Sequence, residues 1–151
     1  MAKVKEELEF SPVLAKIRLD IRGEAKQGKF LFGGKNITEV AAGAREQKVA
    51  LLRNVPVQGM YVEDIDVTSE IYVVFDEESN CEVAYAPVLL TVRANSLEEL
   101  SRFIVSEEFR KIEILEPMQM SYSPLDIERF LFSISKEVKS FQGQLERRYH
   151  K

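Results

Sequence analysis

Three features of this 151-residue chain predict an α+β fold: a mostly antiparallel sheet, two short helices and one long C-terminal amphipathic helix. Residues 13–21 alternate apolar and charged side chains with a period of two. Residues 61–94 hold two more runs of that period around a polar turn. Residues 124–149 repeat apolar residues at alternating spacings of four and three.

The first strand is the clearest element. Val13, Ala15, Ile17, Leu19 and Ile21 share one face, while Lys16, Arg18, Asp20 and Arg22 share the other. Phe30, Leu31 and Phe32 suggest a short returning strand. Asn36, with Glu39 three residues later, has the form of a helix N-cap. Ile37, Val40, Ala41 and Ala44 then follow at helical spacing, which predicts a short helix to about Gln47. The pattern does not decide between helix and strand over 48–55, and Pro56 ends the stretch in either case.

The period returns to two over 61–75, where Ile65, Val67, Ser69, Ile71, Val73 and Phe75 share a face. After the polar turn 76–80 the second arm of the hairpin runs over 81–94. Its apolar parity switches at Pro87, which predicts a bulge or an edge position there. Ser96 and Glu99 form a capping-box pattern ahead of Leu97, Leu100, Phe103 and Ile104. Ile112 and Ile114 start a strand whose parity continues through Met118, Met120 and Tyr122 past a kink at Pro117, with both methionines expected in the core. Ser123-Pro124 with Asp126 in the first turn opens the last helix. Its heptad series is Ile127, Leu131, Ile134, Val138, Phe141 and Leu145. Leu125, Phe130 and Phe132 broaden the apolar surface of the first half only. That half is expected to be enclosed by its own domain, leaving Val138, Phe141 and Leu145 as a narrow free stripe.

No repeat, linker or low-complexity tract divides the chain. Residues 1–151 are therefore expected to form one domain, with 1–10 frayed. The start 1–7 lacks the apolar core of a signal peptide, and no apolar run approaches the ~20 residues that span a bilayer. A cytoplasmic protein without membrane contact is expected. Residues 1–60 carry 11 Lys/Arg against 7 Asp/Glu, 61–116 carry 4 against 14, and 117–151 carry 6 against 4. A strongly acidic middle between two basic flanks points to a bipolar surface.

Catalytic motifs are missing where chemistry would need them. Cys81 is the only cysteine and His150 the only histidine, so neither a structural zinc site nor an internal His-based triad is expected. The run 28–36 misses the P-loop spacing by one residue and lacks its hydroxyl. It leaves Gly33, Gly34 and Lys35 beside a helix N-terminus as candidates for a weak anion site. Asp64, Asp66 and Glu70 resemble part of a calcium loop, but Ser69 and Phe75 stand where Gly and Glu are required. Lys16, Arg18 and Arg22 suit a phosphate backbone, yet aromatic partners on that face are not expected and the pI is near 5.2. Nucleic acid is an unfavoured partner. Glu98-Glu99 and Glu107-Glu108 are taken as helix-start charges.

No catalytic, cofactor-binding or metal-ligating residue is assigned, and no cofactor is expected. The leading expectation is a non-enzymatic, oligomeric interaction module, a scaffold, adaptor or regulatory subunit. It would contact a second copy, or another protein, through Val138, Phe141 and Leu145. The alternative is a small-molecule-binding regulatory domain or a small enzyme using Lys or carboxylate chemistry.

Overall fold

The structure, a computed structural model, describes residues 12–23 and 36–149. Strand β1 (Val13–Gly23) precedes helix α1 (Ile37–Asn54). Strands β2 (Met60–Asp66), β3 (Tyr72–Asp76) and β4 (Cys81–Ala94) follow. A 3-10 turn (Leu97–Leu100) runs into the one-turn α2 (Ser101–Ile104), then strand β5 (Phe109–Glu116) and the long helix α3 (Pro124–Tyr149). The expected strand 30–32, the frayed segment 1–10 and the Gly33, Gly34 and Lys35 candidates lie outside the described residues.

All five strands join one antiparallel sheet in the order β2-β4-β1-β5, with β3 also on β4. β1 and β2 both run against the β4 that separates them, so they are parallel and α1 is the crossover between them. β4 and β5 flank β1 in the same way, with 97–104 as the crossover. Two interlocked split βαβ units of this kind make the ferredoxin-like connectivity.

The alternation in β1 decides which face is buried. Val13, Ala15, Ile17, Leu19 and Ile21 face one side with their β4 partners Ala94, Val92, Leu90, Val88 and Ala86, and all are buried. Ala44, Val49 and Leu52 of α1 cover this face together with Leu97, Leu100, Phe103, Ile104, Phe109 and Met120. The stretch 48–55 is thus mostly helix, and its apolar residues explain why α1 outruns Gln47. Asn36 caps α1 as expected, with Oδ1 accepting from the amides of Thr38 at 2.8 Å and Glu39 at 3.2 Å.

The run 61–75 is not one strand. β2 pairs with the second half of β4 and β3 with Cys81–Tyr85, and the two lie along the same side of β4. A period of two cannot tell one long strand from two collinear ones. Pro87 faces the gap between them, and its carbonyl accepts from Arg45 Nη1 at 3.3 Å while the same nitrogen donates to the Ser69 carbonyl at 3.2 Å. A strand residue carries its N–H and C=O on the same side, so the missing proline N–H falls where no strand needs it. There is no bulge against β1, because the register runs unbroken from Gly23↔Ala84 to Val13↔Ala94. Ala84 and Ala86 continue the core face, small enough for α1 to approach through Ala41. The apparent parity switch arose from counting only the large side chains.

Of the expected core, Ile17, Leu19, Val88, Leu90 and Val92 are buried, Ile71 is half-buried and Val73 is 44% exposed. Val73 lies on β3, which among the described residues pairs only with β4; α1 covers its neighbour Ala84 through Ala41 but leaves Val73 partly in solvent. At the hairpin tip Asn80 takes a positive φ of 54°, a conformation that Asn tolerates better than most residues. The Ser96 side chain makes no capping bond; only its carbonyl accepts from Glu99, at 3.3 Å. Glu107 and Glu108 form the turn before β5, not a helix start. The Glu108 carbonyl accepts from the Asp20 amide at 2.8 Å, and its carboxylate pairs with Lys48 at 3.1 Å. The strand does not continue past Glu116: Met120 packs on the core, but Met118 is 95% exposed.

Core substitutions will separate these environments. Ile17→Ala should cost about 2–4 kcal/mol and Val73→Ala under about 1 kcal/mol. A Cβ at Gly23 would overlap the Ala41 backbone, so Gly23→Ala should destabilise by about 1–3 kcal/mol or more. Urea midpoints measure all three. Equal losses at Ile17 and Val73 would show the register to be wrong.

Candidate functional site

Helix α3 opens on a reciprocal cap. The Ser123 amide donates to Asp126 Oδ2 at 3.0 Å, and the Asp126 amide donates to Ser123 Oγ at 3.2 Å. These bonds hold the Asp126 carboxyl below its ordinary value of 3.8. The helix then runs for 26 residues, about 39 Å.

Its joint with the domain combines polar contacts with a half-buried apolar face of Phe130, Ile134, Phe141 and Leu145. Ser133 Oγ lies 2.8 Å from Ser101 Oγ and 3.3 Å from the Glu98 carbonyl. Arg148 pairs with Glu107 at 3.5 Å. Between these points a cleft of about 270 Å³ separates α3 from residues 102–108, lined by Phe141, Leu145, Val105, Arg102 and Lys48. Phe141 and Leu145 are therefore half-buried against their own chain, whereas Val138 is exposed.

The first half of α3 is the bare half, the reverse of the expected arrangement. Leu125, Ile127, Leu131 and Phe132 are all between 50% and 73% exposed, with Phe130 half-buried among them; in the second half Val138 is 45% exposed. The cause lies in the joint: the hydrogen bonds to the domain begin at Ser133, Phe130 is half-buried ahead of them, and no described element covers the other sides of the first turns. At about 100° per residue, Ile127, Leu131 and Val138 fall within about 40° of one another, 120–160° round from Ser133. Ile134, half-buried, borders the same line. Leu125 and Phe132 make a second spot, on the other side of Ser133. The heptad pattern identified Ile127 and Leu131 as apolar seam positions but not their exposure. Ser133 and Ser140, seven residues apart, were the available sign of the face that approaches the domain.

The densest polar cluster sits on the sheet face away from the core. Asp20, 2% exposed, accepts from Arg18 Nε at 2.9 Å and from the Tyr72 hydroxyl, and lies 3.5 Å from Arg110 Nε. Tyr72 stacks on Tyr85 at 5.4 Å between ring centroids, and the Arg110 guanidinium lies 5.2 Å over Tyr85. Burial, then the bond to Asp20, pushes the Tyr72 hydroxyl up, and the bond to Asp20 raises Arg18. The cluster brings Tyr72 and Tyr85 to the face that carries Lys16, Arg18 and Arg22, where aromatics were not expected. Cross-strand placement, invisible in a linear pattern, brings them together. Acidic partners answer this basic face: Arg22 pairs with Asp76 at 3.1 Å, Arg93 with Glu63 at 2.7 Å, and Lys16 stands opposite Glu113. With its bonding capacity taken up internally, the cluster acts as a clamp between strands.

No helix among the described residues is long and apolar enough to cross a membrane. No family model, curated protein or solved structure matches the chain.

Arg18→Ala and Arg110→Ala should each cost about 1 kcal/mol or less, because Asp20 keeps its other partners. Together they should cost about 3–5 kcal/mol, since the buried carboxylate then loses both cations. A double-mutant cycle by denaturation reads the coupling, and strict additivity would contradict the clamp. The Asp126 cap has its own pH signature. A carboxyl lowered on folding stabilises the helix above its unfolded pKa, and that contribution is lost as pH falls through and below 3.8. Amide exchange in the first turn of α3 should accelerate in that window, and Asp126→Asn should remove the dependence.

Proposed function

We propose that the protein is a non-enzymatic interaction module, a scaffold, adaptor or regulatory subunit, whose working surface is the outward face of α3. The observation that carries this is the exposed line Ile127, Leu131 and Val138 on a helix whose half-buried residues, Phe130, Ser133, Phe141 and Leu145 among them, lie off that exposed line. An apolar stripe at heptad spacing is the form of surface that another helix or groove covers. The contact therefore moves from Val138, Phe141 and Leu145 to Ile127, Leu131 and Val138, with Val138 common to both. The cleft beside Phe141 and Leu145 gives less support to a small-molecule site, because Lys48 and Arg148 at its rim already pair with Glu108 and Glu107.

A photoreactive residue in place of Leu131 should give a discrete protein adduct in the native host, and one in place of Lys111, on the sheet face, should not. Leu131→Asp should abolish capture by probes elsewhere on the stripe while shifting stability by no more than about 0.5 kcal/mol, as at other exposed positions. Loss of the fold on Leu131→Asp, or no adduct at 131, would remove the surface from consideration.

A further inference from the structure

We propose that the stripe on α3 is covered by the same stripe of a second copy of this chain, running antiparallel. The pairing rests on the interaction surface proposed above and names its occupant.

The spacing of the stripe is self-complementary. In the heptad frame Leu131 and Val138 are a positions, and Ile127 and Ile134 are d positions. Two antiparallel copies with their midpoint between Phe132 and Ser133 set Leu131 against the second copy's Ile134, and Ile127 against its Val138. The twofold axis repeats both layers, so the seam has four layers and no polar residue in any of them. Pro124, the first residue of α3, then comes level with the second copy's Phe141. The overlap ends where Phe141 and Leu145 turn into their own domain.

Charge agrees with the direction. Glu128 and Lys139 are both exposed and lie on the same flank of the stripe. In the antiparallel arrangement that flank faces itself, bringing Glu128 within reach of the second copy's Lys139, twice per dimer. Parallel chains would not bring this pair together.

The position of the domain agrees as well. Each domain supports its own α3 from Ser133 to Arg148. Antiparallel pairing lays the bare first half of each helix along the supported second half of the other, with the two domains at opposite ends of the seam. A foreign helix could match the apolar spacing, but the reciprocal Glu128–Lys139 contacts select this chain's own sequence.

The test uses purified full-length protein. Sedimentation velocity at tens of micromolar should show a dimer. Glu128→Lys and Lys139→Glu should each weaken it on the order of tenfold, as two attractive contacts become repulsive. Mixed in equal amounts, the two variants should restore it, since each then supplies the charge the other lacks. Thermal melting should show both variants folded. Orientation is read in a Cys81→Ser background. Ile127→Cys chains mixed with Val138→Cys chains should form disulfides between unlike chains. Two Ile127→Cys chains stand about 16 Å apart along the helices and should not link. Like-with-like disulfides, or mixing that fails to restore the dimer, would overturn the antiparallel pairing. A monomeric wild type that still gives a discrete in-cell adduct at 131 would overturn the second copy and keep the interaction surface. A monomer with no adduct would remove both.

Discussion

The unbroken register between β1 and β4 is the constraint on which the rest of the molecule hangs. Side chains alternate faces with each residue, so a slip of one position would turn Ile17, Leu19, Leu90 and Val92 outward and bring Lys16, Arg18 and Arg22 inward. No helical layer could cover that face. The same register sets Gly23 and Ala84 side by side, leaving room for Ala41, and so fixes where α1 lands. It also places Asp20 where Tyr72 from β3 and Arg110 from β5 both reach it. Strands on opposite sides of the sheet are thereby held to one carboxylate. The far end of β5 is where the chain leaves the sheet for α3, so the helix inherits its position from this pairing.

Two kinds of contact then divide the labour. The central strands are held by fully buried aliphatic side chains, and α1 packs on them through buried Ala41 and the partly buried Ala44, Val49 and Leu52; removal of such groups from water is the main favourable term in folding. Helix α3 is held by hydroxyl, carbonyl and ion-pair contacts plus the half-buried Phe130, Ile134, Phe141 and Leu145. Local stability follows buried apolar contact, so the first turns of α3 lie near the low end of the molecule's opening free energies.

How much of this was legible in the chain depends on range. Strand β1, the Asn36 and Ser123 caps and the turn at 76–80 follow from neighbours in sequence, and all form as expected. Misreadings arise where burial depends on a distant element. Val73 has the parity of a core residue, but it sits on an outer strand of the described sheet, where α1 reaches its neighbour Ala84 and leaves Val73 partly exposed. Met118 shares the parity of Met120 but extends past the end of β5. The abundance of apolar residues in the first half of α3 suggested enclosure, although apolarity records only that some surface is wanted and not whether the same chain provides it. Tyr72, Tyr85, Asp20 and Arg110 come from four strands and meet only after the register is set.

The gap beside Pro87 has a consequence for how this sheet meets other sheets. An exposed strand edge is a template for any extended chain, and a long flat one invites aggregation. Here one border is cut into two short pieces, with a side-chain guanidinium from Arg45 occupying the interval where backbone rungs would continue. The opposite border, β5, shifts register twice against β1 and carries Lys111 and Glu113 between the shifts. Among the described residues neither border offers a continuous ladder to an incoming strand. Both described borders of the sheet are thus poor templates for strand addition.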